Sequence, residues 1–197
     1  KDVDVFTRTL ADGGAEFCYL SGRQLLCECV VNGVYGMKWR SSEGQFVPEF
    51  HTDPSSVSPS FKIGLMRDKR PFDTSFGWEL ENSGRLMHMP LEELRGIDAE
   101  KDIIYGVRLL NRDAELRVTV YTLLNGGDFI VRWLEIENVS LETAALTEVY
   151  PLSGPVWRQD RREETVEGAP FEAAYSHENQ WGREGDFRFD RLKEPLA

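Results

Sequence analysis

The period of two in the stretch ELRVTVYTLL constrains the fold of this chain more than any other feature of the sequence. Apolar residues between Leu116 and Leu124 alternate with Arg117, Thr119 and Tyr121, as expected of a β-strand with one buried face. The following Asn125-Gly126-Gly127-Asp128 is typical of a tight turn, and FIVRWLEIEN has the composition of a second strand. The sequence therefore predicts a β-hairpin. Apolar side chains occur at both odd and even positions of the second strand, which predicts that this strand lies between two packed layers.

Shorter β patterns before and after this hairpin predict an all-β fold. Between Ala15 and Val34, short apolar runs are broken by two Gly-containing turns, which predicts two strands with tight turns. Residues 79–89 predict either one arm of a hairpin or a pair of strands around Asn82-Ser83-Gly84, and AALTEVYPL predicts a further strand. No helical period is sustained over ten residues. We therefore expect a single antiparallel β-sandwich domain over residues 1–197.

Residues 35–76 lack this regularity. The segment carries four of the nine prolines and much of the serine, so we predict a long irregular arm within the domain. It also carries ring-bearing residues that a lone domain would have to bury, namely Trp39, Phe46, Phe50, His51, Phe61 and Phe72. Because so many rings on so little regular structure are typical of docking surfaces, we expect the arm to pack against a partner domain or a second subunit.

The charge balance limits the classes of partner that we expect, and the cysteines limit the cellular compartment. The formal net charge is -11, which disfavours binding to nucleic acid or to an anionic membrane. Cys18, Cys27 and Cys29 are an odd number of cysteines within a short stretch. This argues against a disulfide framework and predicts buried thiols in a reducing, cytoplasmic compartment. The N-terminus lacks the apolar segment of a signal peptide, and a leader removed before Lys1 stays an open alternative.

No motif in the sequence requires a metal or an organic cofactor. None of the three histidines has zinc-finger spacing from Cys27 and Cys29, which are better explained as core residues. The sequence contains no nucleophile elbow, P-loop, Rossmann glycine pattern or His-Glu-x-x-His. We therefore expect no cofactor. Enzymes whose catalytic groups are scattered along the chain stay open.

Two stretches resemble a known family. They are GGDFIVRWLEIENVSLETAALTEVYPLSGPVWR and PFEAAYSHENQWGREGDFRF, and they resemble the N-terminal β-supersandwich domain of glycoside hydrolase family 36, the α-galactosidase and α-N-acetylgalactosaminidase group. The family has an acidic residue and an Arg on a central strand, an Asn ending it, and a Leu-x-Gly-x-Trp closing the next strand. Asp128, Arg132, Asn138 and the run from Leu152 to Trp157 match this pattern, with one extra residue before the Trp. The resemblance covers residues 80 to 192.

The resemblance implies a supersandwich with the architecture of galactose mutarotase and an accessory role. In that family, retaining hydrolysis of α-galactosides uses two carboxylates, and both belong to a (β/α)8 barrel that follows the sandwich. Such a barrel needs ~250 residues of alternating strand and helix, a pattern that this chain lacks. The resemblance therefore implies a non-catalytic domain that supports a separate barrel in a homo-oligomeric enzyme. No catalytic residue is carried over to this chain.

The stretch SHENQWGREGDF is the candidate site for contact with an α-galactoside-type sugar. The indole of Trp181 suits stacking on a pyranose, and Glu184 or Asp186 suits hydrogen bonding to hydroxyl groups. His177 belongs to the same candidate set, and together with the two carboxylates it is an alternative metal-binding group. The same stretch also suits an ordinary turn, in which Asn179 and the glycines shape the backbone and the indole covers the sandwich edge.

Two further functions stay open at the level of sequence. The first is a free-standing carbohydrate-binding or sugar-mutarotase-like sandwich, in which a histidine and a carboxylate face one concave sheet. His88 is the histidine that lies in a predicted strand. The second is a structural or adhesion sandwich that binds no ligand.

Overall fold

In the computed structural model, every regular element of the described residues is a β-strand. The structure describes residues 3–11, 13–22, 24–41, 58–86, 101–127, 130–153, 171–176 and 187–192, with the backbone alone for 38–41 and for the last two ranges. The chain divides into two compact units, Lys1–Val156 and Trp157–Ala197. The single domain expected over residues 1–197 stays a prediction. Within the described residues, no helix has the length and hydropathy needed to cross a membrane.

The fold consists of antiparallel sheets. In chain order the strands are β1 (Val3–Thr9), β2 (Ala15–Ser21), β3 (Gln24–Val31), β4 (Val34–Ser41), β5 (Ser58–Pro59), β6 (Lys62–Arg67), β7 (Arg70–Phe72), β8 (Trp78–Arg85), β9 (Ile103–Asn111), β10 (Leu116–Leu124), β11 (Ile130–Asn138), β12 (Ala145–Tyr150), β13 (Phe171–Ser176) and β14 (Phe187–Leu192). The first unit holds a five-stranded sheet of order β1-β2-β3-β4-β5, a four-stranded sheet of order β11-β10-β9-β8 and a three-stranded sheet of order β12-β6-β7. The second unit holds the pair β13-β14. The predicted all-β antiparallel sandwich is confirmed.

The main core lies between the five-stranded and the four-stranded sheet. Alternate residues of each strand point into it, such as Phe17 and Tyr19 on β2 and Val118 on β10. Tyr105 on β9 connects the two sheets, since its ring lies 6.1 Å from the ring of Phe17 and 5.8 Å from that of Tyr19. The alternation that predicts a strand in the sequence thus becomes the inner face of a sandwich.

The opposite face of the five-stranded sheet is also apolar and buried. Cys18, Leu25 and Cys27 form one cluster there. Cys29 lies in a second cluster with Leu10 and Val31. All three cysteines are reduced and buried, so the prediction that the thiols are core residues is confirmed.

The strong hairpin predicted from the sequence is confirmed as β10 and β11, which pair from Leu116 opposite Asn138 to Leu124 opposite Ile130. The prediction that β11 is buried on both faces is wrong. One face packs on the core, whereas Val131 on the other face is 46% exposed. On this second face, Trp133 packs against Tyr121 of the neighbouring strand β10, because side chains opposite each other on paired strands lie close together.

Of the two alternatives for residues 79–89, the pair of strands around Asn82-Ser83-Gly84 is wrong, because these residues lie within the single strand β8. A β-bulge between Leu80 and Asn82 interrupts its pairing with β9. An edge strand accommodates turn-forming residues by such a bulge, so the local turn signal does not reverse the chain here.

Strands also occupy much of the segment predicted to be an irregular arm. β4 to β7 lie between residues 34 and 72, and residues 42–57 lie outside the described part. Pro59 and Pro71 lie in β5 and β7, which are edge strands of their sheets, where a missing N–H is tolerated. Phe61 packs edge-on against Trp78 at 5.2 Å in the protein's own core, so this ring does not need a partner for burial.

Candidate functional site

The four substrate-binding candidates from the sequence, His177, Trp181, Glu184 and Asp186, lie outside the described residues. In the chain they lie between Ser176 and Phe187, which are register partners at the end of the β13-β14 pair. His88 and Asp128 also lie outside the described residues. The sugar-contact and turn interpretations of this stretch therefore stay predictions.

The structure instead brings together a polar cluster that the sequence reasoning missed, inside the main core. Glu28 on β3 and Arg132 on β11 form a bidentate ion pair, with Nη1 to Oε1 at 2.5 Å and Nη2 to Oε2 at 2.6 Å. The side chain of Glu28 is 0% exposed and that of Arg132 is 3% exposed. Tyr35, Ser60 and Thr122 surround the pair, and we call these five residues the Glu28–Arg132 cluster.

Strand alternation places both charged residues in the core. Glu28 lies between Leu26 and Val30 on β3, whose side chains point into the same core cluster, and residues two apart on a strand share a face. Arg132 occupies the matching position on β11, opposite the buried Thr122 of β10. A bulge between Cys27 and Glu28 shifts the register of β3 against β4 at this point, as is common where a strand re-aims a side chain.

The carboxylate of Glu28 uses all of its acceptor capacity. Oε1 accepts from Ser60 and Arg132, and Oε2 accepts from the Tyr35 hydroxyl and Arg132. A carboxylate has about four lone-pair sites, so each of them has a donor. On the other side, the guanidinium also donates to Ser60 Oγ at 3.1 Å and to Thr122 Oγ1 at 3.1 Å. Its Nε is the buried donor of the cluster that has no partner.

The pKa values of Tyr35 and Arg132 in the cluster, and that of the neighbouring Tyr19, are raised above their ordinary values. Burial, followed by the charge of Glu28, raises the pKa of Tyr35 well above its ordinary value. The same two causes raise the pKa of the neighbouring Tyr19. Burial by itself lowers the pKa of Arg132, but the charge of Glu28 and its hydrogen bonds outweigh this effect and raise the pKa above its ordinary value. Around pH 7, Arg132 is therefore a fixed cation, and both Tyr35 and the neighbouring Tyr19 are neutral phenols.

This arrangement suits a structural cross-link and does not suit acid-base chemistry. A general acid or base needs a hydrogen-bonding position that a substrate can reach, and Glu28 has its lone pairs occupied and no contact with solvent. The cluster instead joins the five-stranded sheet to the four-stranded sheet through charge-assisted hydrogen bonds, which are the stronger kind. It also includes Ser60, whose backbone N–H donates to the Tyr35 carbonyl at 3.0 Å.

The outer face of the four-stranded sheet carries a pair of stacked rings. Tyr121 on β10 and Trp133 on β11 are register partners, with ring centroids 5.2 Å apart and planes inclined by 26°. The Tyr121 hydroxyl donates to Glu135 Oε2 at 2.7 Å, and burial together with this bond raises the pKa of Tyr121. The ring of Tyr121 also covers Gly106 of β9, where an added Cβ would lie 3.3 Å from its Cε1 atom. We call Tyr121, Trp133 and Glu135 the Tyr121–Trp133 face.

Asn138, which the resemblance places at a strand end, organises the turn between β11 and β12. Its side-chain amide donates to the Glu142 carbonyl at 2.7 Å, and its Oδ1 accepts from the Ser140 N–H at 3.3 Å. Arg67 of β6 donates to the same Oδ1 at 3.0 Å. Asn138 therefore ties the turn to the three-stranded sheet.

The described residues hold no group of three or more His, Cys, Asp or Glu side chains arranged to bind a metal ion. A signal for the Glu28–Arg132 cluster does exist in the sequence. QLLCECVV and FIVRWLEIEN each carry a charged residue in the middle of an apolar strand, and a buried charge requires a partner of opposite sign.

In architecture the protein is an antiparallel β-sandwich whose core contains a sealed ion pair. No protein-family model, no curated protein and no solved structure matches the chain.

Proposed function

We propose that this chain is a non-catalytic β-sandwich domain of an α-galactosidase-like glycoside hydrolase, supporting a separate catalytic barrel and its oligomerisation. The observation that carries the proposal is the position of Arg132. This residue is one of those on which the resemblance depends, and in the structure it anchors the two main sheets to each other through Glu28. A strand residue that cross-links a sandwich suits a supporting domain.

Asn138 supports the same interpretation, since it is the second described residue of the family pattern and its side chain holds a turn. Both residues therefore have structural roles, and neither offers a reactive group to solvent. Roles of this kind are expected when the hydrolytic carboxylates belong to another domain.

Exposed apolar side chains around β12 suit contact with a partner. The turn before β12, the strand itself and the residues after it expose the large side chains of Val139, Leu141, Leu146, Val149, Tyr150 and Leu152. Val149 and Tyr150 are consecutive strand residues and therefore lie on opposite sides of the sheet. Exposed apolar side chains are typical of interaction surfaces, and in the proposed enzyme one side of β12 would contact the barrel.

The first experiment is an activity assay of the purified chain with p-nitrophenyl α-galactoside. We expect no release of p-nitrophenol. Turnover that is lost in Glu184→Gln or Asp186→Asn would overturn the proposal, because it would place catalysis within this chain. Independently, we expect the coding sequence downstream of Ala197 to encode alternating strands and helices with Asp residues near strand ends, and a stop codon directly after Ala197 would contradict the proposed parentage.

A second candidate function is carbohydrate binding, and the Tyr121–Trp133 face favours it. The indole of Trp133 is partly exposed, and its neighbour Glu135 is an acceptor on the same face. An aromatic ring beside a carboxylate is the combination that binds the apolar and hydroxyl sides of a pyranose. Gly84 on β8 leaves open space on this sheet, since an added Cβ there meets no atom within 4 Å.

Isothermal titration with galactose and N-acetylgalactosamine tests this candidate. Binding that is lost in Trp133→Ala and retained in Trp181→Ala would support the Tyr121–Trp133 face, whereas the reverse pattern would support the loop predicted from the sequence. If neither sugar gives a heat of binding, carbohydrate binding by this chain is contradicted and the supporting-domain proposal is the one that remains. A mutarotase would in addition accelerate the mutarotation of galactose, and that acceleration should disappear in His88→Asn.

A further inference from the structure

Two of the three cysteines lie directly opposite each other in the middle of the five-stranded sheet. Cys18 on β2 and Cys27 on β3 are register partners, and their sulfur atoms are 2.7 Å apart. Both side chains belong to the same buried apolar cluster. The sequence separates them by a turn and therefore gives no direct sign of the contact.

The backbone geometry at this pair is suited to a covalent bond. Ser21 and Gln24 flank the two-residue turn of the hairpin as register partners, and such flanking residues form a hydrogen-bonded pair, after which the pair types alternate along the strands. Counting outward, Cys18 and Cys27 form a non-hydrogen-bonded pair, in which Cα atoms are about 4.5 Å apart. A disulfide accepts Cα separations of about 4.4–6.8 Å, so the bond requires no movement of the strands.

Cys29 does not fit the same bond. Its register partner is Glu16, which leaves Cys18 at the diagonal position, where separations are about 7–8 Å. That distance exceeds what a disulfide spans. Cys27 and Cys29 lie on the same strand and the same face, so they form a matched pair in which one cysteine is placed for bonding and the other is not.

We propose that Cys18 and Cys27 are a redox modification site, a cross-strand dithiol that closes to a disulfide when the protein meets a low-molecular-weight disulfide such as oxidised glutathione. The odd number of cysteines does not exclude this bond, because Cys29 lies outside the pair. The bond joins two strands of the sheet that supplies Glu28, and so it strengthens the sheet beneath the Glu28–Arg132 cluster.

The chemistry is ordinary thiol-disulfide exchange. The thiolate of Cys18 or Cys27 attacks one sulfur of oxidised glutathione, forms a mixed disulfide and releases one glutathione thiolate. The second cysteine thiolate then attacks the protein sulfur of the mixed disulfide and releases the second glutathione. In total, two protein thiols are oxidised to one disulfide, one molecule of oxidised glutathione is reduced to two thiols, and no other reactant is consumed. Because both sulfurs are buried, we expect fast closure during folding and slow closure in the folded protein.

The test uses the chain refolded with oxidised glutathione, and a parallel sample refolded with dithiothreitol. Each is denatured in N-ethylmaleimide and digested with trypsin, which cuts after Arg8, Arg23 and Lys38 and so separates Cys18 from Cys27. We expect the oxidised sample to give the peptides 9–23 and 24–38 joined by a disulfide, with Cys29 alkylated, and a higher Tm than the reduced sample. Three alkylated cysteines in the oxidised sample would overturn the proposal.

Two variants separate the proposed bond from unspecific oxidation. Cys29→Ala should keep both the linked peptides and the difference in Tm between oxidised and reduced protein. Cys27→Ala should lose both, with no bond between Cys18 and Cys29. Disulfide-linked peptides in Cys27→Ala would contradict the proposed pairing of Cys18 with Cys27. Loss of the linked peptides in a Cys29→Ala protein with a wild-type circular dichroism spectrum would contradict it as well.

Discussion

Replacing Arg132 by Met tests the cross-linking role of the Glu28–Arg132 cluster most directly. The variant keeps a long side chain but removes both charged donors to Glu28, whose carboxylate would keep only the hydroxyls of Tyr35 and Ser60. Breaking a buried ion pair from one side costs about 3–5 kcal/mol. A domain is stable by about 5–15 kcal/mol in total. We therefore expect Arg132→Met to lose a large share of the free energy of unfolding.

The double variant Glu28→Leu/Arg132→Met shows whether this cost comes from a stranded charge. It leaves no charge in the core, although two hydroxyls lose an acceptor at about 1–3 kcal/mol each. Replacing a complete buried pair by apolar residues is often neutral or stabilising. We expect the double variant to be at least as stable as Arg132→Met, with a coupling energy of about 3 kcal/mol between the two sites.

Urea unfolding followed by Trp fluorescence and far-UV circular dichroism measures these values. With an m value of about 1–3 kcal/mol per M, the midpoint for Arg132→Met should fall by about 2 M. Arg117→Met is the matched control, because Arg117 lies on the outer face of the same hairpin and pairs with Glu81 and Glu137; this change should cost less than about 1 kcal/mol. Equal effects of the two substitutions would refute the reasoning.

Three further predictions concern the core tyrosines and the glycines. Burial raises the pKa values of Tyr19 and Tyr35, so above about pH 10 the unfolded chain loses protons that the folded chain keeps. The free energy of unfolding should therefore fall with rising pH. Tyr35→Phe should reduce this slope, and an unchanged slope would contradict the raised pKa of Tyr35. Gly22→Ala should lower the Tm more than Gly13→Ala. Both glycines have positive φ, but only the new Cβ at Gly22 would meet backbone, 2.9 Å from the Gly126 carbonyl oxygen. Equal losses of Tm would argue against this contact. Gly106→Ala should change the near-UV circular dichroism by displacing the Tyr121 ring, whereas Gly84→Ala, which faces open space, should not; matching spectra for the two variants would speak against the stacked pair.

Local patterns predicted the regular strands that are joined by short turns. The alternation along β10 and the glycines after it led to the correct hairpin, and the runs between Ala15 and Val34 led to β2 and β3. Prediction was wrong where turn-forming residues lie inside edge strands, as in β8 and in the strands that carry Pro59 and Pro71. A residue's preference for a turn is a weak local energy, and pairing with a neighbouring strand outweighs it.

The candidate site shows the same division. A charged residue in the middle of an apolar strand, such as Glu28 or Arg132, can be recognised in the sequence as requiring a partner. The identity of that partner cannot be read locally, and the cluster also includes Tyr35 and Ser60 from other strands and turns. In the same way, the three cysteines suggested buried thiols, whereas their grouping into an opposed pair and a separate residue follows from the register of β2 and β3.

By itself, the sequence determined that this protein is built of strands, that alternate residues of β10 face a core, and that the three cysteines are buried. These properties depend on residues two positions apart and on the net composition of short stretches. The tertiary structure alone decided which isolated charges meet, because Glu28 and Arg132 are 104 positions apart and belong to different sheets. Contact between them depends on how two sheets stack, and stacking is a property of the whole core that no short stretch of the chain contains.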